Sequence, residues 1–203
     1  MNLKYKNLSA MILTGGKSSR MGRNKALLPL GNTNTITKIV TLAKTFTHDV
    51  TLITNDPASY NFLALPCHMD IYKEKGPLGG LYTAFTFMKN ERGIIFPCDL
   101  PFLQEEYIYP LILESKAYDV VIYQVRDQIH PLFGCYHKKV LPLIKKHLEK
   151  NDLRMQNLLQ DLNVKVLDAE NFDFKVCPQI GFINMNTKEQ YEKAKQIILE
   201  QPL

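Results

Sequence analysis

Four cations, Lys17, Arg20, Arg23 and Lys25, fall within one nine-residue stretch and share their surroundings with Gly15, Gly16 and Gly22. The segment reads Leu13-Thr14-Gly15-Gly16-Lys17-Ser18-Ser19-Arg20-Met21-Gly22-Arg23-Asn24-Lys25. Glycines let a backbone turn sharply and bring its N–H groups close to a ligand. Crowded cations repel one another unless an anion sits among them. Together these features describe a cradle for phosphate oxygens, in which Arg20 offers a bidentate fork and Lys25 a point charge. The other reading is a solvated basic turn. Two better-known phosphate loops do not fit. A Walker A motif needs Gly where Met11 stands, and no Gly-x-Gly-x-x-Gly occurs in the chain.

A second candidate lies far downstream. Gly93-Ile94-Ile95-Phe96-Pro97-Cys98-Asp99 is an apolar run ending in a carboxylate, with Pro101 just beyond and no Lys or Arg close by in sequence. A carboxylate at a strand tip suits Mg2+, which takes one or two carboxylates and completes its shell with substrate phosphates and water. It also suits the N-cap of a helix beginning near Pro101. The remaining polar positions are weaker. Gly76-Pro77-Leu78-Gly79-Gly80 reads as a turn ahead of a helix through Met88, Asn55 as a turn residue and Asp70 as an exposed loop acid. Asn184 and Asn186 flank an expected strand end, with Asn186 also able to cap the last helix. Arg154 reads as a surface cation, and His130, before Pro131, as a turn residue rather than a base.

The elements that must hold these groups alternate. Strands are expected at Leu8–Leu13, Val50–Thr54, Gly93–Pro97, Asp119–Tyr123, Leu132–Tyr136, Val164–Leu167 and Gly181–Asn184. Their nearly unbroken apolar character fits strands covered on both faces. Between them, Ile36, Ile39, Val40, Ala43 and Phe46 form one helical stripe. Asp56-Pro57 reads as an N-cap followed by proline at the first helical position. Pro101 is expected to open a helix through Ser115, and Asn186 with Glu189 or Thr187 with Gln190 to box the start of a last helix reaching Glu200. Strand–helix alternation predicts a three-layer α/β/α, Rossmann-like fold with a mostly parallel sheet of about seven strands. Gln124–Tyr136 breaks the rhythm and predicts an antiparallel excursion. No linker or repeat divides the chain, so residues 1–203 are expected to form one domain. The cationic loop then leaves the carboxyl end of a buried strand, where open α/β sheets bind ligands.

Composition narrows the function classes. The chain has 203 residues, 45% apolar and 22% charged, with 25 Lys+Arg against 20 Asp+Glu for a net charge of +5. That excess suits a phosphorylated small molecule and is too diffuse for nucleic acid. No apolar run is long enough to span a bilayer, and the polar start lacks the apolar core of a secretory signal. Cys67, Cys98, Cys135 and Cys177 form no Cys-x-x-Cys pair. Reduced thiols in a cytoplasmic protein are the expectation.

The loop and its continuation, Lys25-Ala26-Leu27-Leu28, resemble the LxGGxSxRMGxxK signature of nucleotidyltransferases with the glycosyltransferase-A-like fold. The resemblance is strongest to the MobA-type molybdenum cofactor guanylyltransferases. It extends in order through Asn55-Asp56, Asp70, Gly76-Pro77-Leu78-Gly79-Gly80, Pro97-Cys98-Asp99-Leu100-Pro101, His130-Pro131 and Phe182-Ile183-Asn184-Met185-Asn186-Thr187. Here Gly22-Arg23-Asn24-Lys25 lacks the extra residue and the acidic residue that relatives often carry before the lysine. The resemblance implies transfer of GMP from GTP to the terminal phosphate of molybdopterin cofactor, with Mg2+ on Asp99 and pyrophosphate leaving. It implies nucleotide contacts from Leu13, Thr14, Gly15, Gly16, Gly22, Lys25, Asn55, Asp70 and Asp99. Gly79, Gly80, Arg154, Asn184 and Asn186 fall on the acceptor side, and Arg20, Lys25 and Asp99 carry the catalysis. Cofactor-biosynthesis proteins, molybdoenzyme apoproteins or their chaperones are the implied protein partners. The loop and Asp99 would serve equally in a cytidylyltransferase for the same pterin cofactor or in a sugar-1-phosphate nucleotidyltransferase. A non-catalytic carrier of the phosphorylated cofactor would need the cations but not the metal carboxylate.

Overall fold

A computed structural model describes residue 5, residues 7–15 and residues 24–200. Seven strands build one sheet. In chain order they are β1 (Leu8–Leu13), β4 (Asp49–Ile53), β5 (Cys67–His68), β6 (Arg92–Pro97), β7 (Val120–Val125), β8 (Gln128–His137) and β9 (Val164–Asp168). In space the order is β5-β4-β1-β6-β8-β7-β9. β1 pairs in parallel with β4 and β6, β4 with β5, and β7 with β9. Only β8 runs against its neighbours, β6 on one side and β7 on the other. It is the expected excursion, and a register shift after Ile122 lets it bend along β7. β2 (Pro29–Leu30) and β3 (Thr33–Asn34) form a separate small hairpin.

Strand alternation sorts the core into two layers. Ala10, Ile12, Ile94, Phe96 and Val121 pack with Ile36, Ile39, Val40, Ala43 and Phe46 of α1 (Thr35–Phe46) and with Ile108 and Leu111 of α3 (Ile108–Glu114). Met11, Leu13, Ile95, Val120 and Ile122 face the other way. They meet Leu78, Leu81 and Phe85 of α2 (Gly76–Phe87), Ile144 and Leu148 of α4 (Leu141–Glu149), and Leu158 of α5 (Met155–Gln160). Every strand residue of β1 is buried, which a sheet covered on both faces requires. After α6 (Pro178–Gly181), α7 (Lys188–Glu200) closes a smaller cluster of Leu30, Phe102, Met185 and Ala194.

Local signals explain most boundaries. Asn34 Oδ1 accepts the Thr37 N–H at 2.9 Å and starts α1. Asp56 caps a 3-10 segment, Pro57–Leu63, as the Asp-Pro pair predicts. Thr187 Oγ1 accepts from Gln190 N at 3.2 Å while Gln190 Oε1 accepts from Thr187 N at 3.1 Å, so the second of the two expected capping boxes forms.

Four expectations change. Gly181–Asn184 makes no strand: Pro178 opens the short α6, whose last residue, Gly181, packs against the Tyr107 ring with no room for a Cβ. Pro101 does not open a helix. Phe102 joins the small cluster under α7 and Leu103 the main core, so the chain turns irregularly to bury both. Helical backbone begins only with the 3-10 turn Glu105–Tyr107. The glycine segment 76–80 does not precede its helix but forms the first turns of α2. His130 lies within β8 rather than in a turn.

Candidate active site

Three distant segments meet at the carboxyl end of the sheet. Lys25 opens a 3-10 turn, Lys25–Leu27, which Asn24 caps by accepting the Ala26 N–H on its side-chain oxygen at 3.2 Å. From there Lys25 Nζ reaches Asp99 Oδ2 at 2.8 Å, across 74 residues of sequence. The same ammonium donates to Asn186 Oδ1. Asp99 sits just past the tip of β6, and its backbone carbonyl accepts the Met185 N–H at 2.9 Å, pinning the C-terminal segment to the strand end. The alternative role for Asp99, capping a helix at Pro101, is excluded because no helix starts there. Beside it the Cys98 thiol is pushed up to about 12, by burial first and then by the Asp99 charge, so it is no nucleophile.

A second group gathers at the ends of β4 and β5. Asn55 and Asp70 hold each other reciprocally: Asn55 Nδ2 donates to Asp70 Oδ2 at 2.8 Å, and Asp70 N donates to Asn55 Oδ1 at 3.1 Å. A Cβ added at Gly80 would lie 3.8 Å from both Asp70 Oδ1 and Leu13 Cδ2, so Gly80, Asp70 and Leu13 form one wall. Gly80 was expected on the acceptor side; here it stands with residues expected on the nucleotide side. Gly79 serves packing, because a Cβ there would come within 2.6 Å of the Tyr72 carbonyl oxygen. Thr14 is tied to β4 through N–H and hydroxyl bonds to the Ile53 carbonyl, at 3.0 and 3.2 Å. Gly15 follows it, exposed. Gly16, Lys17, Arg20, Gly22 and Arg23 lie outside the described residues.

On the other flank of Asp99 a cleft of about 190 Å3 is lined by Pro97, Asp99, His130, Pro131, Met155 and Asn184, among others. His130 is buried against Phe182, ring centroids 4.7 Å apart. Burial lowers its pKa to about 4, with Asp99 pulling the other way, so it is neutral near pH 7. Arg154, exposed, precedes Met155 at the start of α5. Asp152 bonds His147 at 3.1 Å, while the other nitrogen of His147 lies 3.0 Å from Asp161. Of the residues expected on the acceptor side, Asn184 lines this cleft, whereas Arg154 does not and only its neighbour Met155 does. Asn186 is bonded instead to the lysine shared with Asp99.

This convergence is what a nucleotidyl-transfer centre requires: cation, metal-grade carboxylate and glycine wall on one rim. A family model described as the MobA-like NTP transferase domain matches residues 10–166. The chain belongs to this family. A probable molybdenum cofactor guanylyltransferase of Carboxydothermus hydrogenoformans is 37% identical over 94% of the chain and 96% of its own length. A protein of the same name from Flavobacterium johnsoniae is 34% identical over 88% and 97%. Molybdopterin-guanine dinucleotide biosynthesis protein A from Archaeoglobus fulgidus superposes with a TM-score of 0.80, covering 95% of this chain and all of its own at 20% identity. That likeness speaks to the fold.

A MobA-like NTP transferase is an enzyme that moves a nucleotidyl group out of a triphosphate, chemistry that generally runs with a divalent metal. Asp99 fits that need. Among the described residues its Oδ1 has no hydrogen-bond partner, and no group of three His, Cys, Asp or Glu side chains could hold a metal alone. An ion there must therefore share its shell with substrate phosphates and water. Sequence reasoning missed the contributions of Met155 and of Asn24. For Asn24 a signal existed, since asparagine directly ahead of a short helical turn is a preferred cap.

Proposed function

We propose that this transferase moves GMP from GTP to the terminal phosphate of molybdopterin cofactor, giving the guanine dinucleotide form and pyrophosphate. The observation that supports the reading is the Lys25–Asp99 contact at 2.8 Å, which joins a cation suited to a triphosphate to a carboxylate suited to a metal. Two near-full-length relatives bearing the guanylyltransferase name support the choice of base and acceptor.

A phosphate monoester is already nucleophilic near neutral pH, so no general base is required. His130, neutral and buried in the cleft, is not asked to be one. An acceptor oxygen forms a bond to the α-phosphorus as the bond from α-phosphorus to the bridging oxygen breaks. Pyrophosphate leaves with that electron pair. The obstacle is repulsion between anions, which calls for positioning and charge neutralisation. Lys25 and Arg20 supply the positive charge against the triphosphate. Leu13, Thr14, Gly15, Gly16, Gly22, Asn55 and Asp70 hold the nucleotide. Asn184, Asn186 and Arg154 orient the acceptor, while Gly80 joins the nucleotide wall with Asp70 and Leu13 and Gly79 packs beneath it. Asp99 would hold Mg2+, which when bound neutralises and polarises the phosphate under attack. The whole chain acts as one domain in the cytoplasm, a reading its four free thiols favour. Its product passes to molybdoenzyme apoproteins or their chaperones.

The test is a panel of GTP, CTP, ATP and UTP with Mg2+ and molybdopterin cofactor, read as pyrophosphate release. Turnover with GTP alone is expected. Preference for CTP would make the protein a cytidylyltransferase, and binding without pyrophosphate release would make it a carrier.

A further inference from the structure

Tyr60 has no part in the machinery assigned above. It lies in the 3-10 segment after β4 and is 1% exposed. Its hydroxyl accepts a hydrogen bond from Asn24 Nδ2 at 2.8 Å. In sequence, Asn24 stands directly before Lys25. Asn24 also caps the turn on which Lys25 rides.

We propose that Tyr60 is a positioning residue, whose hydroxyl holds the Asn24 side chain and so fixes the turn from which Lys25 reaches a triphosphate. The inference rests on the assignment of Lys25 to the triphosphate made above. Core packing alone does not ask for this hydroxyl. The Tyr60 ring is part of the main hydrophobic cluster, and phenylalanine would bury the same ring without desolvating an O–H. Its bond is instead directed at the residue that caps the Lys25 turn. Burial, the larger influence, raises the phenol pKa against the Asn24 hydrogen bond, so the hydroxyl stays protonated at neutral pH. A lysine held in place before the ligand arrives loses less conformational freedom on binding.

The test compares wild type, Tyr60→Phe, Asn24→Ala and the double variant. The readouts are calorimetric binding of Mg·GTP, steady-state pyrophosphate release and the urea midpoint. Tyr107→Phe serves as control, since it removes a different buried hydroxyl, bonded to the Val176 carbonyl. Tyr60→Phe should raise Kd and KM for GTP roughly five- to tenfold, the size of one hydrogen bond, with kcat changed less than about threefold. Tyr107→Phe should lower the urea midpoint comparably and leave Kd unchanged. In the Asn24→Ala background, loss of the Tyr60 hydroxyl should cost less than about twofold, because its partner is already gone. An unchanged Kd in folded Tyr60→Phe, or an equal rise in Tyr107→Phe, overturns the proposal. If Tyr60→Phe does not fold, Asn24→Ala alone removes the same hydrogen bond, and an unchanged Kd there overturns it equally. Failure of the wild type to bind GTP at all is a separate result, which removes the assigned function and this proposal with it.

Discussion

Replacing Lys25 by alanine takes from Asp99 and Asn186 the donor they share. The lysine and aspartate side chains are 19% and 18% exposed, so water can reach the carboxylate left behind. The fold should lose no more than about 1 kcal/mol. Affinity for Mg·GTP should fall ten- to a hundredfold, roughly what a charge-assisted hydrogen bond is worth, as equilibrium binding would measure. Unchanged affinity would detach Lys25 from the triphosphate. Asp99→Asn keeps the shape and removes the charge. Mg2+-dependent pyrophosphate release should drop by about two orders of magnitude or more while the circular dichroism spectrum is kept. A near-normal rate would take the metal away from Asp99. These two residues also show what a sequence discloses. An acid ending an apolar run is visible as a candidate ligand from its neighbours alone. Its lysine partner, 74 positions earlier, is invisible to local reading, because only the β1–β6 pairing brings the two strand ends together.

The glycine segment of α2 separates packing from binding within two adjacent positions. A Cβ at Gly79 would meet the Tyr72 carbonyl oxygen at 2.6 Å, a backbone atom that cannot swing aside. Gly79→Ala should cost about 1–3 kcal/mol, seen as a lower urea midpoint. A Cβ at Gly80 would find nothing closer than 3.8 Å, and what it finds is Asp70 and Leu13. Gly80→Ala should therefore fold normally and show its effect in KM for the nucleotide. The helices and strands with many alternating or periodic apolar positions could be read in advance, β1 and α1 to within a residue. Others could not. β5 is only two residues long, Cys67–His68, too short for any pattern. The apolar residues of 181–184 looked like a strand, but burial against Tyr107 and turn hydrogen bonds back to Cys177, Pro178 and Ile180 hold that segment without a ladder.

Across the molecule, stability should carry the signature of His130. Its folded pKa lies near 4 against an ordinary 6.5, chiefly through burial. The unfolded chain then takes up a proton that the folded chain refuses. This contribution is fully present above pH 6.5 and is lost as the pH falls through that window toward 4, by at most about 3 kcal/mol. Urea midpoints of metal-free protein at pH 7 and pH 5 should differ more for the wild type than for His130→Gln. Equal pH dependence would show that the histidine is not the source. No helix among the described residues is long and apolar enough to cross a membrane.

The reversed strand has a consequence for how such an enzyme can diversify. Because β8 runs downward, its opening residues, Gln128 to Phe133, rise beside the tip of β6 and wall the cleft next to Asp99. They hang from a two-residue turn, Arg126-Asp127, in which Arg126 adopts a φ of 53°. Lys25 and the Asn55–Asp70 pair hang from different connections altogether. Under the proposed function the acceptor and nucleotide surfaces are thus separate cassettes, and a hairpin grafted from a relative with another acceptor should exchange one preference and leave the other intact.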